Sequence, residues 1–393
     1  MLSPVAAHRR YLHQIPELDD QLSQTLTLVT GVLRGHRCEY VSPIQGSVCA
    51  WFDFGQKETV AFRADMDALP VEETTGLPYS SRHPGNMHAC GHDGHTAMLL
   101  SLCQWLSAKP EGMPRNVLAV FQPSEETTGG AGRICDSGIL EEHNVKRIFG
   151  VHLWPHLPKG EVFARPGPMM ARSNEVTVYV KGKSVHLSRA EQGRDAMTAG
   201  IEYLTRAYKL AEEVPPPCVL RFGKMYSGSV RNAVSGETTL EGSLRTYQDA
   251  TFEACRDGLG VIGAKIERET GCHVETHFGS GYPAVWNNEA LYEEVCAGLG
   301  PDAPKLLDKP SLAAEDFSFY QRHLPGLFFF LGIGDTPELH ASNFDFDDEY
   351  ILPLGVEFLK KLARLPLPRR RGLSARSPAF LKEKEGNNAG IVL

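Results

Sequence analysis

The 393-residue chain has no apolar stretch approaching the roughly 18 residues needed to cross a bilayer. Its opening, Met-Leu-Ser-Pro-Val-Ala-Ala-His-Arg-Arg, reaches charge early and holds no apolar core of the secretory-signal kind. A surplus of positive charge is also missing. The formal net charge is −8, which argues against a general nucleic-acid binder and toward a small-molecule partner. Nor is there a paired cysteine framework. The nine cysteines are odd in number and scattered, which excludes a disulfide scaffold and points to a reducing, cytoplasmic setting. What remains is an ordinary composition, 42% hydrophobic and 22% charged, in a chain long enough for two or three compact domains.

Chemistry concentrates in Asn86-Met-His88-Ala-Cys90-Gly-His92-Asp93-Gly-His95-Thr96. These eleven residues hold three histidines, a cysteine and an aspartate. Cys90 and His92 flank a single glycine. In an extended or tightly turned backbone both side chains can reach one point, and Gly91 has no Cβ to block the approach. Thiolate and imidazole suit borderline metals such as zinc. A buried thiol flanked by hydrogen-bonded histidines is the competing reading of this segment taken alone. Matching donors further along favour the metal.

In chain order, 4–34 reads as an amphipathic helix pair interrupted near Pro16. Val48–Phe52 and Thr59–Arg63 are strand-length apolar runs, the second leading into Asp65 and Asp67. Carboxylates where a strand stops are suggestive, because strand ends converge on a crevice in α/β sheets. A helix over 96–108 follows, then a buried strand over 117–122 that ends in Pro123-Ser124-Glu125-Glu126. Neighbouring glutamates on extended backbone point opposite ways, so one could hold a metal while the other faces a substrate. A solvated acidic pair at a helix start is the alternative. The run 148–152 ends in His152. The pattern then becomes alternating, as half-buried antiparallel strands require, with strands near 175–180, 218–224 and 237–246 and helices over 195–213 and 252–270. This reads as an α+β insert. A helical pattern at 288–298, a central strand at 326–331 and a last helix near 349–364 complete the fold. Residues 367–393 are polar and lack clear periodicity, with an Arg369-Arg370-Arg371 cluster, and are expected to form a disordered, solvated tail.

Taken in order, Arg63-Ala-Asp65-Met-Asp67-Ala-Leu-Pro, Met87-His-Ala-Cys90-Gly-His92-Asp, Glu125-Glu126, His152 and Leu339-His340-Ala-Ser-Asn-Phe make five separate motifs. Together they resemble the dinuclear-metal amidohydrolases of peptidase family M-twenty. The nearest group includes hippurate hydrolase, indole-acetyl-amino-acid hydrolases and N-acetyl-diaminopimelate deacetylase. Glu315-Asp316-Phe317 is a further matching piece, and the likeness runs from about residue 8 to about 362.

The resemblance implies an α/β catalytic domain with a mixed central sheet flanked by helices, formed by 1–173 and 282–366. An inserted α+β lid and dimerisation domain would span 174–281, giving a homodimer. It implies two divalent ions, manganese or zinc first and cobalt or nickel next, held by Cys90, His92, Glu126, His152 and His340, with Cys90 bridging. Glu125 matches the general base and Asp67 an aspartate that steadies a ligand or the metal. Asp65 stands where distant members carry a histidine ligand, and the motif leaves its role open, as it does for His88 and His95. His186 matches a lid histidine that reaches the scissile carbonyl, often from the partner subunit. Asn232 and Arg245 match lid residues that hold the substrate, the guanidinium by a bidentate fork to a carboxylate.

Two such metals about 3.5–4 Å apart can share a water and lower its pKa toward 7. The implied reaction is hydrolysis of an N-acyl amino acid, with Glu125 moving the proton from the water to the leaving nitrogen. A metallo-exopeptidase acting on dipeptides would share every metal ligand, and an inactive metal-holding binding protein is the reading from another class. Departures fall in the lid: Leu187-Ser188-Arg189-Ala190 after the histidine, and Ala233-Val234-Ser235-Gly236 after the asparagine. Leu22 replaces a common acidic residue. These changes bear on the substrate pocket rather than on the metal core.

Overall fold

The computed structural model describes residues 2–366. The tail expected over 367–393, with its arginine cluster, lies outside the described residues. Eight strands form the larger sheet, in the order Glu39–Val41, Val48–Phe52, Asn116–Gln122, Thr59–Asp65, Val145–Trp154, Gly326–Gly332, Val162–Ala164 and Lys305–Leu306. The four central strands are mutually parallel, and antiparallel pairings begin on either side of them. Both faces of a central parallel strand are covered by helices, so such strands are apolar throughout. Thr59–Asp65 fits this, with every residue buried. Val60, Phe62 and Ala64 join the core on one face, and Ala61 joins the core on the other.

The first core packs the helices Pro4–His13, Ser23–Arg34, His92–Ser107, Glu289–Leu299 and Asp348–Arg364 on that face. The second packs Gly130–Asp136, Ile139–Glu142 and Ser318–His323 opposite. His92–Ser107 is the central helix. Met98, Leu99, Leu100, Leu102, Cys103 and Leu106 are all buried on it. At about 1.5–3 kcal/mol for each large side chain removed from water, these contacts hold the site's floor rigid. From Thr59–Asp65 the chain crosses first to Asn116–Gln122 on one side and then to Val145–Trp154 on the other. The sheet therefore has its topological switch at Thr59–Asp65, and a crevice opens at the carboxyl ends of these strands.

The inserted α+β unit is a four-stranded antiparallel sheet ordered His273–Phe278, Arg172–Lys181, Glu237–Thr246 and Cys218–Ser227. Ala196–Glu213 and Asp249–Thr270 cover one face, enclosing Val176, Val178, Val180, Leu240 and Leu244 in a separate core. The chain enters and leaves this unit side by side: Ser173 and Tyr282 exchange two backbone hydrogen bonds of 3.0 Å. All nine cysteines are free thiols.

Three local expectations are corrected. The helix expected from Thr96 begins at His92, because Gly91 takes a left-handed backbone (φ +83°) that ends the preceding turn and starts the helix directly. Glu125 and Glu126 lie in a turn, not on extended backbone and not at a helix start; Ser124 itself has φ +61°. His152 lies inside a longer strand that runs on to Trp154.

Candidate active site

The crevice is lined from four directions. His152 projects near the end of its strand, Glu125 and Glu126 follow the end of Asn116–Gln122, Cys90 and His92 straddle Gly91, and His340 comes from the loop after Gly326–Gly332. Cys90 Sγ, His92 and His152 offer donor atoms within 4.8 Å of one another, and so do Cys90, Glu126 and His340. Cys90 belongs to both groups. Its Sγ lies 3.5 Å from His152 Nε2. His340 Nε2 lies 3.3 Å from Glu126 Oε1.

Each ligand candidate is aimed by a second contact. His92 Nδ1 donates to the backbone carbonyl of Asp67 at 2.8 Å, and His152 Nδ1 donates to that of Leu153 at 2.7 Å. Both contacts occupy Nδ1 and leave Nε2 as the nitrogen a metal would take, on His92 by displacing the proton that the surrounding carboxylates favour. His340 adopts φ +67°, uncommon for a residue with a side chain, and its N–H is tied to Ala89 O at 2.8 Å. Asp67 Oδ1 lies 3.8 Å from His92 Nδ1. Its two oxygens accept the backbone N–H groups of Glu125 (2.9 Å) and Glu126 (3.0 Å), so it shapes the turn that presents both glutamates.

The electrostatics suit a cation. Burial and the neighbouring Glu126, Glu125 and Asp65 hold the Cys90 thiol well above its usual range. Burial opposes charge on His92, but Asp65, Asp67 and Glu126 overcome it and raise the ring to about 10. Burial, followed by His95, pushes His152 well below its normal value. His92 Nε2 and Glu126 Oε1 are buried without a hydrogen-bond partner. Thiol, imidazole and carboxylate crowded this closely repel or hold protons, and a divalent ion among them would relieve both conditions.

Glu125 occupies the other side of the turn. Its carboxylate, with those of Glu315 and Asp316, forms a buried group within 4.8 Å. Burial, then Glu315, Glu126 and Asp316, lift its pKa well above the normal glutamate range. Glu125 Oε1 accepts the Asp316 N–H at 3.4 Å. Behind these acids lies Arg63, fully enclosed, reaching Asp65 (2.7 Å), Asp316 (2.7 Å) and Glu315 (2.9 Å). Asp65 continues the chain of contacts: its Oδ1 accepts from His95 Nδ1 at 2.6 Å, and His95 Nε2 accepts the N–H of Leu153 at 2.9 Å. Both nitrogens of His95 are thus in use, which makes it a positioning residue for the strand that carries His152. His88 is buried, and burial pushes it down to about 3; neither of its ring nitrogens has a hydrogen-bond partner.

A cavity of about 590 Å³ opens over these groups. Cys90, Glu125, Glu126, His152 and His340 line its floor, and Arg245, Ser173 and Glu175 of the inserted unit line its wall. Burial without a counter-charge lowers the Arg245 pKa, and its Nη1 is buried and unpartnered. His186 and Asn232 are elsewhere. They adjoin each other on the inserted unit, where Leu187 N–H donates to Asn232 O at 3.1 Å, and neither lines this cavity.

Sequence reasoning assigned no role to Arg63, Glu315 or Tyr282. A charged pair, Arg63 and Asp65, inside a buried apolar run was the available signal for the first. Tyr282 had none. Its hydroxyl donates to Glu125 O at 2.7 Å and lies 3.1 Å from Thr127 O, tying the exit of the inserted unit to the turn that carries the glutamates.

A cluster of aimed thiol, imidazole and carboxylate donors in a strand-end crevice, with a further carboxylate left over beside them, defines a metal-dependent hydrolase. The pattern of peptidase family M20/M25/M40 matches residues 61–365, and the chain belongs to that family. An uncharacterized hydrolase of Staphylococcus saprophyticus is 32% identical over 361 residues, spanning 88% of this chain and 94% of its own. Among solved structures, a putative aminohydrolase from methicillin-resistant Staphylococcus aureus superposes with a TM-score of 0.86 at 28% identity, covering 93% of this chain and 96% of that one. The Bacillus subtilis YXEP protein, described as a dinuclear metal binding peptidase, gives 0.81 at 28% identity, covering 92% and 97%. No helix among the described residues is long and apolar enough to cross a membrane.

Proposed function

We propose that the protein is a two-metal amidohydrolase that releases an amino acid from an N-acyl conjugate. The observation that carries this reading is the sharing of Cys90 between two donor groups, with Glu125 close beside them, near His92 and Glu126 on one hand and Glu315 and Asp316 on the other. Cys90, His92 and His152 would hold one ion, and Cys90, Glu126 and His340 the other, with manganese or zinc the best match to this mixed donor set. Two ions held there would lower the pKa of a shared water and polarise the acyl oxygen. Glu125 takes the proton of the attacking water and returns it to the departing nitrogen. Asp67 fixes the turn that presents Glu125 and Glu126. Arg245 takes the carboxylate of the leaving amino acid through its two-pronged guanidinium.

In this reading 1–173 and 282–366 form the catalytic body, and 174–281 form a lid. The separation of His186 and Asn232 from their own chain's cavity supports a homodimer in which these two residues serve the partner's site while Arg245 serves its own. Exposed Met225, Tyr226 and Val230, at 38%, 60% and 59%, lie on and just beyond the edge strand of the lid sheet and give it an apolar rim for that contact.

The test is hydrolysis of N-acetyl amino acids, hippurate, indole-acetyl amino acids and dipeptides with added manganese, zinc or cobalt. Chelator-sensitive release of amine from N-acyl compounds is expected. Cleavage confined to dipeptides would replace the deacylase reading with an exopeptidase one. No hydrolysis of any member would contradict both.

A further inference from the structure

Resting on that reading, we infer that Tyr282 is a positioning residue that makes the placement of Glu125 depend on where the inserted unit sits. The turn that carries Glu125 is held at two points. On its N–H side, Asp67 of the body accepts from Glu125 and Glu126. On its carbonyl side, the Tyr282 hydroxyl donates to Glu125 O at 2.7 Å and lies 3.1 Å from Thr127 O. Tyr282 stands where the chain leaves the inserted unit, paired with Ser173 at the entry. One anchor of the turn thus belongs to the body and the other to the unit's exit. Burial, then the nearby Asp316, Glu125 and Glu315, hold this hydroxyl well above the usual tyrosine range, so it remains a donor. Its partners are backbone carbonyls, so it aims Glu125 and does not itself react.

The inserted unit can carry Tyr282 with it. It has a core of its own and meets the body at a pair of crossing strands. Units joined in this way turn about a few hinge residues. Asn174 fastens the exit strand to the entry strand. Its Nδ2 donates to Gly279 O at 2.8 Å and to Ser280 O at 3.2 Å, and its Oδ1 accepts from Arg172 Nε at 2.9 Å. Gly281, with φ +56°, lets the strands approach closely, since a Cβ there would overlap Ser173 O. The phenol that follows is therefore fixed to the crossing point. Its ring leans on the body. A Cβ at Gly129 would lie 3.1 Å from Tyr282 Cε1, and Phe319 packs edge-on with ring centres 6.0 Å apart. In this arrangement the unit is docked. Arg322 Nη2 of the body contacts both Asp249 oxygens, at 2.9 and 2.7 Å, and Tyr247 Oη donates to Pro310 O at 2.9 Å. Rotation away from these contacts carries the hydroxyl off Glu125 O, and a shift of about 1 Å is enough to break a bond of 2.7 Å. The turn then keeps its anchor at Asp67 and loses the one at its carbonyl. Glu125 is fully aimed only when the unit is docked over the cavity.

Tyr282→Phe removes the hydroxyl and keeps the ring between Gly129 and Phe319. Tyr247→Phe combined with Arg322→Met removes the docking contacts. The two changes are made separately and together, in manganese-loaded protein. The first readout needs no turnover: hydrogen–deuterium exchange of the peptide over 124–128, which holds the Glu125 and Glu126 amides. Exchange there should quicken about three- to tenfold in Tyr282→Phe, the scale of one neutral hydrogen bond. The undocked variant should quicken it similarly, with no further gain when the changes are combined. The second readout is kinetic. On the N-acetyl amino acid cleaved fastest, Tyr282→Phe should lower kcat by about the same factor, with KM and metal content little changed. A residue that only supports the fold would lower stability without this non-additivity. Unchanged exchange in Tyr282→Phe, wild-type exchange in the undocked variant, additive effects, or a kinetic change confined to KM overturns the inference. Failure of the amidohydrolase reading is distinguishable, because no N-acyl compound would then be cleaved while the exchange cycle still decides the role of Tyr282.

Discussion

Replacing Glu125 by Gln should lower kcat by about 10²–10⁴-fold while leaving metal content at the wild-type level. The expectation follows from where Glu125 lies. It follows the same strand as Glu126, and its carboxylate lies between the proposed ligands His92 and Glu126 and the buried acids Glu315 and Asp316. Gln keeps the shape and the carbonyl that accepts the Asp316 N–H, so the turn held by Asp67 remains intact. Only the capacity to take a proton is lost. Turnover and elemental analysis on the same preparation separate the possibilities. An unchanged kcat would remove Glu125 from proton transfer, and a loss of metal would make it a ligand instead.

Arg63→Met should destabilise the protein by about 3–5 kcal/mol, the cost of removing one partner from a buried ion cluster. Arg63 is enclosed with Asp65, Glu315 and Asp316, and its Nε also donates to Gln122 Oε1 at 2.8 Å. Without the guanidinium, three buried carboxyl groups face one another. The deficit should depend on pH. Burial raises the Asp65 pKa, but Arg63 and then His92 and His95 outweigh it and hold the group well below the normal aspartate range. A depressed folded-state pKa gives stability that is present above the unfolded value near 3.9 and is lost as pH falls through the folded one. The gap between wild type and Arg63→Met should therefore be widest at neutral pH and narrow in acid. Denaturant midpoints across pH measure it. A gap that stays constant or widens in acid would contradict the assignment of Arg63 as the counter-charge to Asp65.

Most of the site could be read from the sequence because its donors are carried by short local patterns. Cys90-Gly91-His92 needs only a tight turn to converge, and the glutamate pair and His152 follow strand-length apolar runs. The central strands were equally legible, since burial on both faces makes them continuous apolar runs. What escaped reading depends on contacts between distant parts of the chain. Tyr282 reaches Glu125 across 157 residues, and Arg63 reaches Asp316 across 253. The helix start at His92 was missed because a glycine-rich motif looks like loop, whereas Gly91 with positive φ opens a helix directly. The extended backbone expected at Glu125 and Glu126 is instead a turn pinned by Asp67, which the local sequence pattern does not show.

The central claim is that one thiol joins two metal sites. Its most direct test is metal stoichiometry by elemental analysis of the protein loaded with manganese or zinc and dialysed, beside Cys90→Ala treated identically. Two ions per chain in the wild type, falling in Cys90→Ala together with chelator-sensitive hydrolysis, is the result expected. Two ions retained in Cys90→Ala, or a single ion in the wild type at full activity, would contradict it.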